Sequence, residues 1–170
     1  MEKIAVIGAG QMGNGIAQVA ASAGYEVLMI DIKEEYVDRG MATIQKSLSK
    51  LVSKERISQS DADDTLARIS TTTDRAECAD VDLVVEAVPE ILDLKTSIFS
   101  ELDEICKPEC ILASNTSSIS ISTIANATNR PEKVIGMHFM NPVPIMKLVE
   151  IINGDPVSYT HLTLPTKCSV

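Results

Sequence analysis

The stretch "KIAVIGAGQMGNGIAQVAASAGYEVLMID", residues 3–31, constrains this chain more than any other. A β-rich apolar run leads into Gly8, and Gly10 and Gly13 follow in the spacing Gly-x-Gly-x-x-Gly. A helical run of small residues comes next, then a second β-rich run, 25–31, that ends in Asp31. Glycines alone are common in turns. A strand before them, a helix after them and an acid closing the next strand supply the setting of a dinucleotide-binding turn. There Gly8 permits the tight turn, Gly10 lets the backbone approach a pyrophosphate, and Gly13 lets helix and strand pack closely. The helix start, with Gln11 and Met12, presents unpaired N–H groups and a partial positive charge to phosphates. Asp31 would accept hydrogen bonds from both adenosine ribose hydroxyls and repel a 2′-phosphate. That favours NAD over NADP, although Lys33 two positions on pulls the other way. The plainer alternative is a structural glycine turn that binds nothing.

The remaining chain keeps alternating strand-like and helix-like runs. A long amphipathic helix is expected from about Lys33 to Lys54, with Ile44, Leu48 and Leu51 spaced by 4 and 3. "SQSDADDTLARI" (58–69) reads as a short helix whose Ser and Asp residues suit its start. "DLVVEAV" (82–88) is a strand, and Pro89 is expected to open the next helix at its first turn. "CILASN" (110–115) and "KVIGMHF" (133–139) are further strands. The alternation predicts an α/β protein with a Rossmann-type, doubly wound, mostly parallel sheet.

The chain's chemistry narrows its partners. Net charge −9 and only 3% aromatic residues, none of them Trp, argue against nucleic acid. No apolar stretch approaches the roughly 18–20 residues of a membrane span, so no membrane partner is expected. The N-terminus carries no secretory pattern, because the glycines break its apolar run at once. Cys78, Cys106, Cys110 and Cys168 have no histidines at metal-ligand spacing. Reduced thiols in a cytoplasmic protein are the expectation, and a functional thiol or metal at Cys106/Cys110 is the minor alternative.

One of the two histidines, His138, sits in "GMHFMNPVPIMKLVEII" (136–152), upstream of Glu150. Hydride transfer between an alcohol and NAD needs a base for the hydroxyl proton, and histidine serves near neutral pH. A carboxylate on its other ring nitrogen would fix the tautomer. A lone histidine on an apolar face is otherwise more often a satisfied core residue. "ASNTSSISI" (113–121) holds short polar groups that either bind a substrate oxygen or cap a helix beginning near Ile119, and spacing does not choose between these.

Taken together, "GAGQMGNGIAQ", "VVEAVPEILDLK", "ASNTSSISI" and "GMHFMNPVPIMKLVEII" closely resemble the 3-hydroxyacyl-CoA dehydrogenase family, nearest to its short-chain bacterial 3-hydroxybutyryl-CoA members. The resemblance runs from about residue 3 to Gly154. It implies NAD-linked interconversion of an L-3-hydroxyacyl-CoA and the 3-ketoacyl-CoA, in fatty-acid or butyrate-type metabolism. It makes His138 the acid/base, Glu150 its orienting carboxylate and Ser117 the holder of the reacting oxygen. It also implies that Glu90 and Lys95 contact the ribose side of the cofactor, and that Asn115 and Asn141 line the nicotinamide pocket. Ser47, Lys50 and Lys54 would touch the CoA moiety from one helical face. Without the resemblance, Glu90 would be a helix-start carboxylate and Lys95, Lys50 and Lys54 solvated lysines. A non-catalytic dinucleotide-binding module, or a dehydrogenase of a free 3-hydroxyacid, are the competing readings.

The pattern stops after Gly154. The family resemblance implies a further helical domain that supplies the homo-oligomer contact and closes over the acyl chain, and that C-terminal domain is absent here. Residues 1–154 are therefore expected to be the NAD-binding domain, incomplete at its end, with negligible turnover alone. Residues 155–170, "DPVSYTHLTLPTKCSV", are expected to be a non-native tail, since "PVSYTHLTLPT" is what a transposase-type sequencing adapter encodes in frame.

Overall fold

The computed structural model describes residues 1–154, so the expected tail, with His161 and Cys168, lies outside the described residues. Seven strands form one sheet: β1 (Lys3–Ile7), β2 (Glu26–Ile30), β3 (Ile69–Thr72), β4 (Leu83–Glu86), β5 (Ile111–Ser114), β6 (Val134–Phe139) and β7 (Val149–Asn153). Their order is β3-β2-β1-β4-β5-β6-β7. Neighbours are parallel through β6, and β7 alone runs antiparallel. Between β1 and β4 the chain switches direction across the sheet, and open α/β sheets bind ligands outside the strand ends at such a point.

Strand side chains alternate between two faces, and each face has its own core. Ile4, Val6, Val27, Met29, Leu83 and Val85 pack on one side with α1 (Gln11–Ser22), α2 (Glu34–Ser53) and α3 (Gln59–Ala67). Ala5, Ile7, Leu28, Ile30, Val84 and Leu112 face the other side, under α4 (Leu92–Ile105) and α5 (Ile121–Ala125). Covering both faces suits parallel strands, whose sequences are apolar throughout rather than alternating. Ile44 and Leu48 of α2 are fully buried, each contributing about 1.5–3 kcal/mol of burial. Ser58 caps α3 in a reciprocal box: its hydroxyl takes the Asp61 N–H while Asp61 accepts from the Ser58 backbone.

Several local expectations shift. The helix expected over 58–69 ends at Ala67, and Ile69–Thr72 becomes the edge strand β3. The helix expected from Pro89 starts at Leu92, with Ile91 as its N-cap. Just ahead of it, the Glu90 carboxylate reaches the loop after β5, where it accepts the Ser117 and Ser118 N–H groups. The helix expected near Ile119 begins at Ile121.

Candidate active site

Gly8 has φ +102, a left-handed conformation that disfavours any side chain, and its N–H donates to the Ile30 carbonyl at 2.7 Å. A Cβ on Gly13 would stand 1.6 Å from the Gly8 carbonyl oxygen, so only glycine lets α1 lie this close to β1. A Cβ on Gly10 would meet nothing within 4 Å, and no side chain caps the start of α1. Open space above the amides of a helix N-terminus fits a pyrophosphate. Beside it runs a groove of about 650 Å³ lined by Gly8, Gly10, Gln11, Met12, Asp31 and their neighbours. Asp31 is fixed in this groove: the Ala9 N–H donates to Oδ2 at 2.7 Å and the Ile32 N–H to Oδ1 at 2.7 Å. A carboxylate held by backbone amides is preorganised to receive ribose hydroxyls. The residues present therefore fit a dinucleotide.

His138 and Glu150 meet because β7 returns antiparallel to β6 in a register that sets the two residues opposite each other. Side chains of directly opposite residues share one face of a sheet. The imidazole Nδ1 lies 2.8 Å from Glu150 Oε2. The ring is 23% exposed and the carboxylate 50%, so Glu150 is more open than its apolar sequence suggests. Both stand at the same end of the sheet as the glycine turn. Asn141 bridges the two places, its Oδ1 accepting from Gln11 Nε2 at 3.3 Å. Asn115, following β5, accepts the Phe139 N–H at 2.8 Å and so ties the histidine strand to the next loop.

Ser117 is exposed in that loop, and among the described residues its hydroxyl has no hydrogen bond. The hydroxyls around it are engaged. Ser114 donates to Glu86 Oε2 at 2.7 Å, Thr116 donates to Glu90, and Ser118 donates to Glu90 Oε1 at 3.0 Å. A hollow of about 280 Å³ lies between residues 116–122 and the Ile152–Gly154 end of β7.

Lys95 departs from the solvated reading. Its side chain is 1% exposed, with the ammonium 2.6 Å from Glu86 Oε1, 3.3 Å from Glu90 Oε2 and 3.2 Å from the Val88 carbonyl. Glu86 was not among the expected site residues, yet it is fully buried at the end of β4. The available signal was a carboxylate inside the apolar run "LVVEAV", which demands a buried partner. Burial alone would raise the Glu90 carboxyl. Hydrogen bonds from Thr116 and Ser118 and the Lys95 charge outweigh burial and hold it at about 2.

Ser47, Lys50 and Lys54 lie apart, on or just past the last turns of α2, with Ser47 half-buried and both lysines exposed. They do not line the groove. Cys78, Cys106 and Cys110 are buried free thiols, and no metal-binding cluster exists among the described residues.

Sheet order, glycine turn and fixed acid together define a dinucleotide-binding domain of Rossmann type. The sequence model of the 3-hydroxyacyl-CoA dehydrogenase NAD-binding domain matches residues 3–164, and the chain belongs to that family. A probable 3-hydroxybutyryl-CoA dehydrogenase of Deinococcus radiodurans is 56% identical over 92% of this chain and 56% of its own length. The 3-hydroxybutyryl-CoA dehydrogenase of Clostridioides difficile is 47% identical over 92% of this chain and 56% of its own. The crystal structure of (S)-3-hydroxybutyryl-CoA dehydrogenase from Ralstonia eutropha superimposes with a TM-score of 0.92 at 45% identity, covering 94% of this chain and 56% of that one. The chain thus spans about half the length of these relatives.

Proposed function

We propose that the whole protein is an NAD-dependent oxidoreductase that interconverts an L-3-hydroxyacyl-CoA, 3-hydroxybutyryl-CoA first among them, with the 3-ketoacyl-CoA. The observation that carries this is the His138–Glu150 pair, 2.8 Å apart at the sheet end that also holds the glycine turn. NAD supplies the hydride acceptor when bound. Glu150 accepts from Nδ1–H and so leaves Nε2 free to take the proton of the substrate's 3-hydroxyl. The same carboxylate offsets the charge that then forms on the ring. Ser117 donates to the reacting oxygen, Asn115 and Asn141 border the nicotinamide, and Ser47, Lys50 and Lys54 reach the CoA moiety. Glu90 and Lys95 serve the ribose side, Lys95 from its buried position.

The 170 residues alone, which span about half the length of the relatives, are proposed to hold NAD yet to turn over negligible substrate. The whole protein is proposed to work as a cytoplasmic homo-oligomer. A pure binding module has no use for a histidine–carboxylate pair beside a dinucleotide turn, which favours the enzyme. The test is reduction of acetoacetyl-CoA by the protein of the complete reading frame, with NADH and NADPH side by side. NADH-linked reduction is expected. Absence of turnover with both nucleotides would overturn the assignment.

A further inference from the structure

Glu90 does something that a ribose contact does not require. A single oxygen, Oε1, gathers donors from three consecutive residues: the Thr116 hydroxyl, the Ser117 N–H at 3.1 Å, the Ser118 N–H at 3.2 Å and the Ser118 hydroxyl at 3.0 Å. Its other oxygen is 3.3 Å from Lys95 Nζ. Lys95 cannot drift, being buried and held 2.6 Å from Glu86 Oε1. Glu86 in turn accepts from the Val88 N–H and, through Oε2, from Ser114 at 2.7 Å each. Both ends of the Ser114–Ser118 segment are therefore gripped by carboxylates, one from the end of β4 and one from the segment after it, and one ammonium holds the two carboxylates together.

We infer that Glu90, locked by Lys95 and Glu86, is a positioning residue that fixes the backbone of Ser117 and so aims its hydroxyl at the substrate oxygen. This rests on the proposed role of Ser117. Charge-assisted bonds are shorter and about twice as strong as neutral ones, so a carboxylate anchors such a loop better than an amide. Glutamine at 90 would also present an NH2 group to the Lys95 ammonium, donor against donor. The loop would lose its anchor without any contact to cofactor or substrate being removed at Ser117. Angular precision matters here, since misplacing a reacting group by about 1 Å costs about 100-fold in rate.

The experiment compares E90Q, S117A and the double variant in the whole enzyme, reading kcat, KM, the Kd for NADH and amide exchange over residues 115–119. Expected for E90Q is a fall in kcat at saturating NADH of about 10- to 100-fold with faster exchange at 116–119, beyond any weakening of NADH binding that loss of the ribose contact brings. In the S117A background E90Q should lower kcat no further, because its effect passes through Ser117. S118A removes one donor without touching charge and should shift kcat and exchange in the same direction, but less; this keeps the test alive should E90Q fold poorly. Unchanged exchange at 116–119 with kcat at saturating NADH retained, whatever the Kd for NADH, would overturn the inference and leave a ribose contact only. Full kcat in S117A would overturn the reading of Ser117 and the relay with it, and it is distinguishable because E90Q would still loosen the loop.

Discussion

The glycine turn allows two neighbouring substitutions to be predicted in opposite senses. In G13A the new methyl would sit 1.6 Å from the Gly8 carbonyl oxygen and 2.7 Å from its carbon. Backbone atoms cannot rotate aside, so α1 and the turn must part by about 2 Å, loosening Ile16, Ala17 and Ala21 from the sheet. Overpacking against backbone of this kind should cost at least about 3 kcal/mol and abolish NAD binding with it. In G10A the methyl meets nothing, and φ −66, ψ −168 is a conformation alanine adopts freely. Replacing glycine by alanine at the N-cap costs about 0.5–1 kcal/mol and the stiffer unfolded chain returns about 0.4–1 kcal/mol, so stability should stay within about 1 kcal/mol. The methyl would occupy the space proposed for the pyrophosphate, lowering NADH affinity about 10- to 100-fold, or about 1.4–2.8 kcal/mol. Urea unfolding gives the first quantity and calorimetric NADH titration the second. A stable G10A that binds NADH as tightly as the parent would refute the placement of the phosphates over this turn.

Further outcomes concern the polar groups. H138Q in the whole enzyme should lower kcat by about 100- to 10,000-fold and leave the Kd for NADH unchanged, as measured by steady-state assay and titration. K95M strands the fully buried Glu86 carboxylate with only the Val88 amide and Ser114 hydroxyl, and should cost about 3–5 kcal/mol in urea unfolding. Adding E86Q should restore much of that, because the remaining group is then neutral. Lys107 and the Glu2 and Lys3 amides hold the Asp82 carboxyl well below its ordinary 3.8, and Glu90 lies at about 2 against an ordinary 4.5. Since both are lowered on folding, the unfolded chain binds more protons in acid. Stability should be level above about pH 4.5–5 and decline as pH falls through about 2, as seen by acid titration of the circular dichroism. D82N should flatten that decline.

How much of this was legible depends on what each residue's neighbours could reveal. The strands of the parallel core were visible as continuous apolar runs, and the glycine spacing placed the turn correctly because sterics leave Gly8 and Gly13 no substitute. β3 was hidden: "ISTT" is short, half-exposed and fused to the helix before it, so no period announces it. Glu150 stands in the apolar run "LVEII", but that this run is a strand returning antiparallel is a matter of long-range pairing. That pairing alone puts the acid opposite His138. Pro89 marks a helix start by sequence, but the helix begins at Leu92, and a residue between them, Glu90, bonds to Thr116, 26 residues on. Nothing beside Lys95 in the sequence distinguishes it from a surface lysine; only the fold brings the buried Glu86 to it.

Val143 packs on α1 where a Cβ on Gly15 would approach it to 2.8 Å, so the bend carrying Asn141 is bolted to the helix that begins at the glycine turn. β7 beyond that bend is an edge strand of the described sheet, as β3 is on the other side, and Ile151 and Ile152 are open to solvent. Mild heating should therefore peel this hem from the fabric first. Nucleotide would still dock, while the imidazole would already have lost the anion at its back.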